Sequence, residues 1–91
     1  MGLLESKIAV ITGGGRGIGK ATAQLFTNEG AMVVIAEFDE VSGQSTANEL
    51  GVHFIKTDIS NEESVNALFN FVSSEFGQLD ILVNNAGILA D

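Results

Sequence analysis

The feature that most constrains the fold is the alternation of short apolar runs with longer amphipathic segments. The apolar runs, which are rich in β-branched residues, are residues 7–11, 32–36, 52–56 and 80–83. Runs of this kind are typical of strands buried on both faces of a parallel sheet. The order β-α-β-α-β-α-β is therefore predicted. Because crossovers between parallel strands are right-handed, the sequence predicts an α/β fold with a four-stranded parallel sheet between two layers of helices.

Apolar spacing and cap residues define the three predicted helices. The residues predicted to face the core are Ile18, Ala21, Leu25 and Phe26 in the first helix, Val41, Ala47 and Leu50 in the second, and Val65, Leu68, Phe69, Val72 and Phe76 in the third. Asp39 is predicted to cap the second helix, and Ser60 with Glu63 a capping box for the third. The glycines predicted to end the helices are Gly30, Gly51 and Gly77.

A glycine-rich stretch, TGGGRGIGKAT at residues 12–22, lies between the first strand and the first helix. Gly14, Gly19 and Lys20 have the spacing of a nucleoside-triphosphate P-loop. That loop needs a hydroxyl at the next position to bind magnesium, and Ala21 has none, so we reject this reading. The strict G-x-G-x-x-G fingerprint is absent too, and the pattern that fits is TGxxxGxG, residues 12–19.

The position of this loop predicts a phosphate site. Glycines allow close approach of the main chain, and a helix N-terminus offers amide donors and partial positive charge to phosphate oxygens. We expect the amide of Ile18 to point at phosphate, Gly13 to form the turn, and Gly19 to allow close packing of helix and strand. Gly17 is the second glycine of the pattern. A structural turn between strand and helix is the alternative.

An acidic residue follows the second predicted strand. Glu37 lies close to the offset from the glycine loop at which a carboxylate accepts the ribose hydroxyls of a dinucleotide. A carboxylate there also repels a 2′-phosphate, which favours NAD over NADP. The alternative is a solvated charge at a strand end, continuous with Asp39 and Glu40.

Composition narrows the classes of partner. The 12 acidic and 4 basic residues give a net charge of −8, which argues against nucleic acid and anionic membranes as partners. There is no Cys, which excludes thiolate metal sites and is compatible with a cytoplasmic location. The single His, His53, is expected in a strand and not as a ligand, so no metal site is predicted.

Two further motifs complete a resemblance to the short-chain dehydrogenase/reductase family. TDIS contains Asp58 and Ile59 after the third strand, and NNAG, residues 84–87, follows the fourth. With TGxxxGxG these motifs stand in the family's order, and the resemblance spans residues 3–91. The chain is similar to 3-oxoacyl-acyl-carrier-protein reductases. The resemblance implies a Rossmann-type fold that exchanges hydride between a nicotinamide cofactor and a carbonyl or alcohol.

The resemblance also implies roles for individual residues. Asp58 would contact the exocyclic amine of adenine and Ile59 its ring, although Asp58 reads equally well as a turn residue before Ser60. In NNAG the side-chain amides of Asn84 and Asn85 can bond main chain, and the small residues Ala86 and Gly87 leave room for a flat ligand. The cofactor-binding residues so predicted are Gly13, Arg16, Gly17, Ile18, Gly19, Glu37, Asp58, Ile59, Asn85, Ala86 and Gly87. In the family a basic residue at the position of Arg16 often accompanies NADP, so NADP stays the alternative to NAD.

The chain departs from the family at the catalytic residues. The family uses a serine, a tyrosine and a lysine four residues after the tyrosine, but this sequence has no Tyr, so no catalytic residue is assigned. We expect residues 1–91 to be one truncated NAD(P)-binding domain, inactive alone, whose sheet is incomplete relative to the family. We also expect it to associate with itself or with a missing C-terminal part. A non-catalytic dinucleotide-binding or interaction module is the alternative.

Overall fold

The structure, a computed structural model, describes residues 2–13, 15 and 17–85. Its elements are β1 (Ile8–Thr12), α1 (Gly17–Asn28), β2 (Met32–Glu37), α2 (Glu40–Leu50), β3 (His53–Lys56), α3 (Glu62–Phe76) and β4 (Ile81–Asn84). The predicted order of strands and helices is confirmed, and no strand boundary differs from its predicted position by more than one residue.

The four strands form one parallel sheet in the order β3-β2-β1-β4. The predicted fold class is therefore confirmed. Thr12, the last residue of β1, is in register with Ala36 of β2 and with Asn84, the last residue of β4. Because the strands are parallel, their carboxyl ends meet at one edge of the sheet, which is the edge that the glycine-rich loop leaves.

Each face of the sheet has its own apolar cluster, because successive strand side chains point to opposite faces. Buried residues on the face covered by α3 are Ile8, Val10, Val34, Ala36, Leu68 and Val72. Buried residues on the face covered by α1 are Ile11, Ala23, Ala31, Val33 and Ile35, with Leu50 of α2 packed against them. The predicted three layers follow from this separation, since β1 is buried along its whole length.

The predicted buried face of α1 is confirmed at Phe26, which packs against the core, but differs elsewhere. Ile18 and Leu25 are 77% and 56% exposed, whereas Gly19 and Ala23 are buried. The true face is turned by one residue, about 100° on a helix. The reason is distance: where a helix lies very close to neighbouring main chain, only small residues fit between them.

The predicted face of α2 is also partly wrong. Val41 is 80% exposed, while Gly43, Thr46 and Ala47 are buried. A Cβ atom added at Gly43 would collide with the ring of Phe54 in β3. Small side chains therefore form the surface through which α2 approaches the sheet.

Three of the predicted caps are confirmed. Asp39 accepts hydrogen bonds from the main-chain amides of Val41 and Ser42 at the start of α2. Gly51 and Gly77 end α2 and α3 with φ angles of 71° and 78°, in the left-handed region that favours glycine. Gly30 follows α1 closely, as predicted, with a φ of 96°.

The predicted capping box of α3 is wrong. The cap is Asn61, whose side chain accepts from the amide of Ser64 at 3.1 Å. The hydroxyl of Ser60 instead donates to Oδ1 of Asp58 at 2.6 Å, which takes it away from the helix. The helix therefore begins one residue later than a Ser60 cap would place it.

β4 forms an edge of the sheet among the described strands. Its side chains alternate between half-buried and exposed, and Leu82 is 50% exposed. The expectation that this strand is buried on both faces is therefore wrong here, because the described elements cover neither of its faces completely. The expected self-association or association with a C-terminal part stays a prediction.

Candidate functional site

The glycine-rich loop and the ends of β2 and β4 meet at the carboxyl edge of the sheet. Gly13 directly follows β1 with a φ of 68°, and Gly17 starts α1 with a φ of 61°. Both are left-handed conformations that other residues rarely adopt. Ile18 lies in the first helical turn, where main-chain amides have no acceptor within the helix. This is the geometry that a phosphate-binding loop requires.

Close packing explains Gly19. A Cβ atom there would collide with the carbonyl of Gly13 and lie 2.9 Å from the side-chain nitrogen of Asn85. α1 therefore approaches the turn after β1 more closely than any side chain permits. At Gly19, α1 therefore packs against the glycine loop more than against β1.

The end of β4 is bonded to the end of β1 by side chains. The side-chain amide of Asn85 donates to the carbonyl oxygen of Gly13 at 3.4 Å. The hydroxyl of Thr12 lies 3.2 Å from Oδ1 of Asn84 and 3.3 Å from the carbonyl oxygen of Val83. The first residue of TGxxxGxG and the asparagines of NNAG thus form one network across two neighbouring strands.

Glu37 is held in place by two main-chain amides. Its Oε1 accepts from the amide of Gly15 at 3.0 Å, and its Oε2 accepts from the amide of Asp39 at 3.2 Å. The residue is half-buried. A freely solvated charge at a strand end would lack such contacts. Each carboxylate oxygen still has capacity for one further donor.

Gly15 and Thr46 belong to this site, although sequence reasoning did not find them. The hydroxyl of Thr46, in α2, donates to the carbonyl oxygen of Gly15 at 2.6 Å. The two residues are far apart in sequence, and no local pattern connects them. Only packing of α2 against the loop brings them together.

Asp58 takes the turn role that the sequence left open. Its Oδ1 accepts from both the hydroxyl and the amide of Ser60, at 2.6 and 3.0 Å. The hydroxyl bond first, and the amide bond second, lower the pKa of this carboxyl group below its ordinary value, while desolvation opposes them weakly. These bonds do not occupy the second oxygen, so a ligand role is compatible with the turn role.

Ile59 borders an apolar cavity of about 250 Å³. The cavity is lined by Thr12, Ile59, Val65, Leu68, Phe69, Leu82 and Asn84. It lies between α3 and the ends of β1 and β4, so it adjoins the glycine loop on the side away from α2.

Phe38 is a third residue that sequence reasoning missed. It follows Glu37 directly and is 64% exposed, with the ammonium of Lys56 5.6 Å from its ring centre. The sequence contains no specific signal for it, because single exposed hydrophobic residues are common on protein surfaces.

Arg16, Ala86 and Gly87 lie outside the described residues. The described residues together contain no helix long and apolar enough to cross a membrane.

Comparison with known proteins agrees with this arrangement. The family described as short chain dehydrogenase matches residues 7–91. An uncharacterized oxidoreductase from Thermotoga maritima is 46% identical over 97% of this chain and 36% of its own length. Tropinone reductase-like 1 from Erythroxylum coca is 47% identical over 94% of this chain and 32% of its own. The chain spans about a third of the length of these relatives.

Solved structures show the same likeness. The 3-ketoacyl-(acyl-carrier-protein) reductase from Brucella melitensis complexed with NADH is 41% identical, with a TM-score of 0.84 over 87% of this chain and 34% of that protein. A hydroxysteroid dehydrogenase from Escherichia coli is 36% identical, with a TM-score of 0.86 over 89% of this chain and 36% of that protein. The matched fold, glycine loop and strand-end motifs lead to one conclusion: the chain belongs to the short chain dehydrogenase family.

Proposed function

We propose that this chain binds a nicotinamide dinucleotide as the cofactor-binding portion of an oxidoreductase that acts on a carbonyl/alcohol pair. The observation that carries the proposal is the contact between Glu37 and Gly15. It places a half-buried carboxylate directly beside the glycine loop that precedes α1. Donors for the phosphate and an acceptor for the ribose hydroxyls then lie side by side, as a dinucleotide requires.

In this proposal the pyrophosphate lies against the loop and the start of α1. Gly13 and Gly17 give the loop its path, Gly19 keeps α1 close, and the amide of Ile18 donates to a phosphate oxygen. Arg16, within the same loop, would contribute positive charge. These local donors are needed because the net charge of −8 on the chain repels phosphate.

The adenosine end of the ligand would lie beyond β2 and β3. Glu37 would accept the ribose hydroxyls, and Asp58 and Ile59 would contact the adenine amine and ring. The exposed ring of Phe38 would provide a further apolar surface. Asn85, Ala86 and Gly87 would border the ligand after β4.

We propose NAD as the preferred cofactor, with NADP as the alternative. A 2′-phosphate on the ribose would be placed against the carboxylate of Glu37, and two negative groups repel each other. Arg16 is the residue that would favour NADP.

The proposed activity needs a proton donor that residues 1–91 do not supply in the family's form, since they contain no tyrosine. That group must come from outside these residues. What the present residues do is bind and orient the cofactor, which itself supplies the hydride chemistry.

Calorimetric titration of the complete gene product with NADH and with NADPH tests the proposal. We expect saturable binding of both, with NADH at least about tenfold tighter, because each 1.4 kcal/mol of repulsion is tenfold in affinity. Glu37→Ala should weaken the binding of NADH and reduce the preference for NADH over NADPH. Glu40→Gln removes a neighbouring charge on an exposed side chain and should leave the preference unchanged. The proposal would be overturned if the protein bound neither NADH nor NADPH.

A further inference from the structure

We propose that Thr46 is a positioning residue for this site: acting through Gly15, it fixes Glu37 relative to the glycine loop. The inference rests on the proposed dinucleotide function. Thr46 is 2% exposed, and its hydroxyl bond to the carbonyl oxygen of Gly15 is the shorter of the two bonds at Gly15, 2.6 Å against 3.0 Å. Burial keeps water from replacing this bond, so its loss would leave a carbonyl oxygen without its donor.

Both main-chain polar atoms of Gly15 are engaged by the elements that flank the loop. Its carbonyl oxygen accepts from Thr46 of α2, and its amide donates to Glu37 at the end of β2. The two groups are joined through one Cα atom. Restraining the carbonyl therefore restrains the direction in which the amide points.

A side chain at Gly15 would displace the groups that surround it. A Cβ atom there would lie 2.7 Å from Oγ of Ser42, 2.9 Å from Oε1 of Glu37 and 3.1 Å from the amide nitrogen of Gly43. Unlike Gly13 and Gly17, Gly15 is not among the glycines with positive φ. It is needed here for the contact with α2 and Glu37, and not for its backbone conformation.

The consequence concerns two parts of one ligand. The pyrophosphate would accept from the amides of the loop and the ribose would donate to Glu37, so affinity depends on the distance and angle between the loop and this carboxylate. The second amide on Glu37, from Asp39, belongs to the β2–α2 turn and does not reach the loop. Thr46 and Gly15 therefore fix the position of the Glu37 carboxylate relative to the loop. Supporting residues must hold binding groups to within about 0.5 Å of the productive geometry.

The test is a double-mutant cycle on the complete gene product, read by calorimetric titration with NADH. Thr46→Val keeps the shape of the side chain and removes its hydroxyl. We expect about fivefold weaker NADH binding, the effect of one ordinary hydrogen bond. In the Glu37→Ala background the same substitution should change the affinity less than about twofold, because the group that it positions is absent. Thr46→Ser should restore wild-type affinity.

Thr27→Val is the matched control. Thr27 also donates a hydroxyl to a main-chain carbonyl oxygen, that of Ala23 within α1, at 2.7 Å. It has no contact with Glu37 or Gly15 in the structure's hydrogen bonds, and NADH affinity should not change. If Thr46→Val does not fold, Gly15→Ala tests the same contact from the loop side, with the same dependence on Glu37 expected.

The outcomes separate the two proposals. Equal loss of affinity in the wild-type and Glu37→Ala backgrounds would show that Thr46 only holds α2 in place, which would overturn the inference. Unchanged affinity in Thr46→Val would overturn it as well, and in both cases NADH binding by the wild type would leave the proposed function standing. No NADH binding by the wild type would overturn both.

Discussion

The side-chain amide of Asn85 donates to the carbonyl oxygen of Gly13 at 3.4 Å, across 72 residues of sequence. This contact joins the end of β4 to the turn after β1. The hydroxyl of Thr12 and Oδ1 of Asn84 lie 3.2 Å apart in the same region. The shape of the glycine loop therefore depends on β4 being paired in the sheet, although β4 is the more exposed neighbour of β1.

Asn85→Ala should lower the free energy of unfolding by about 0.5–1 kcal/mol, the low end for a hydrogen bond because the distance is long. Urea denaturation followed by circular dichroism measures this. Asn48→Ala is the control: Asn48 is exposed on α2 and bonded only to Gln44 among the described contacts, so its removal should cost less than about 0.5 kcal/mol. Equal costs would show that the Asn85 contact does not hold the loop.

Gly19→Ala should destabilise the protein and weaken dinucleotide binding together. The added methyl group collides with the carbonyl of Gly13, which is main chain and cannot turn away as a side chain can. We expect a loss of about 1–3 kcal/mol in unfolding free energy, as for other overpacked sites.

Gly51→Ala is a matched control for that substitution. Gly51 has open space around its Cα and a φ of 71°, so alanine there should cost only the left-handed conformation, about 1–2 kcal/mol. Calorimetric NADH titration of both variants separates the effects: binding should weaken in Gly19→Ala alone. Unchanged NADH affinity in Gly19→Ala would contradict the close approach of α1 to the loop.

Ser60→Ala should raise the pKa of the Asp58 carboxyl group toward its ordinary value of 3.8. The hydroxyl bond is the largest cause of the lowered pKa, and the amide bond from residue 60 remains in the variant. A carbon-detected NMR titration of the carboxyl group measures the change. Ser45→Ala, on the exposed side of α2, should leave the Asp58 titration as it is in the wild type.

The lowered pKa also gives a sign for the pH dependence. Because the folded state holds the Asp58 proton less tightly than the unfolded state, this carboxylate stabilises the fold above its ordinary pKa. That contribution is lost as the pH falls from about 4 through the folded pKa. In Ser60→Ala the folded pKa lies closer to the unfolded one, so this contribution should be smaller and its loss should be complete at a higher pH. A larger contribution in the variant would contradict the assignment.

Asn61→Ala should cost about 1 kcal/mol, the usual value for removing an N-cap. Its side chain is the acceptor for the Ser64 amide at the start of α3. Ser60→Ala should cost less than about 0.5 kcal/mol, since the Ser60 hydroxyl bonds to an exposed turn and not to the helix. Thermal unfolding of the two variants measures both losses of stability. A larger loss for Ser60→Ala than for Asn61→Ala would indicate that Ser60, and not Asn61, caps α3.

The sequence by itself determined the order of elements, the central layer and most helix ends. These depend on local chemistry. An apolar β-branched run forms a strand wherever both faces can be covered, as in β1 and β2. Asp39 bonds amides two and three residues away, and Gly51 adopts a left-handed conformation whatever surrounds it. The glycine loop and Glu37 were recognisable for the same reason, since both are defined by spacing along the chain.

Tertiary structure alone decided which helix faces are buried and what holds the site together. Hydrophobicity predicted that Ile18 and Val41 are buried, but Gly19 and Gly43 are buried instead. The helices approach neighbouring groups so closely at these positions that only glycine fits, and local sequence does not determine that distance. The bond from Thr46 to Gly15 likewise joins residues 31 positions apart, and it exists only once α2 packs on the loop.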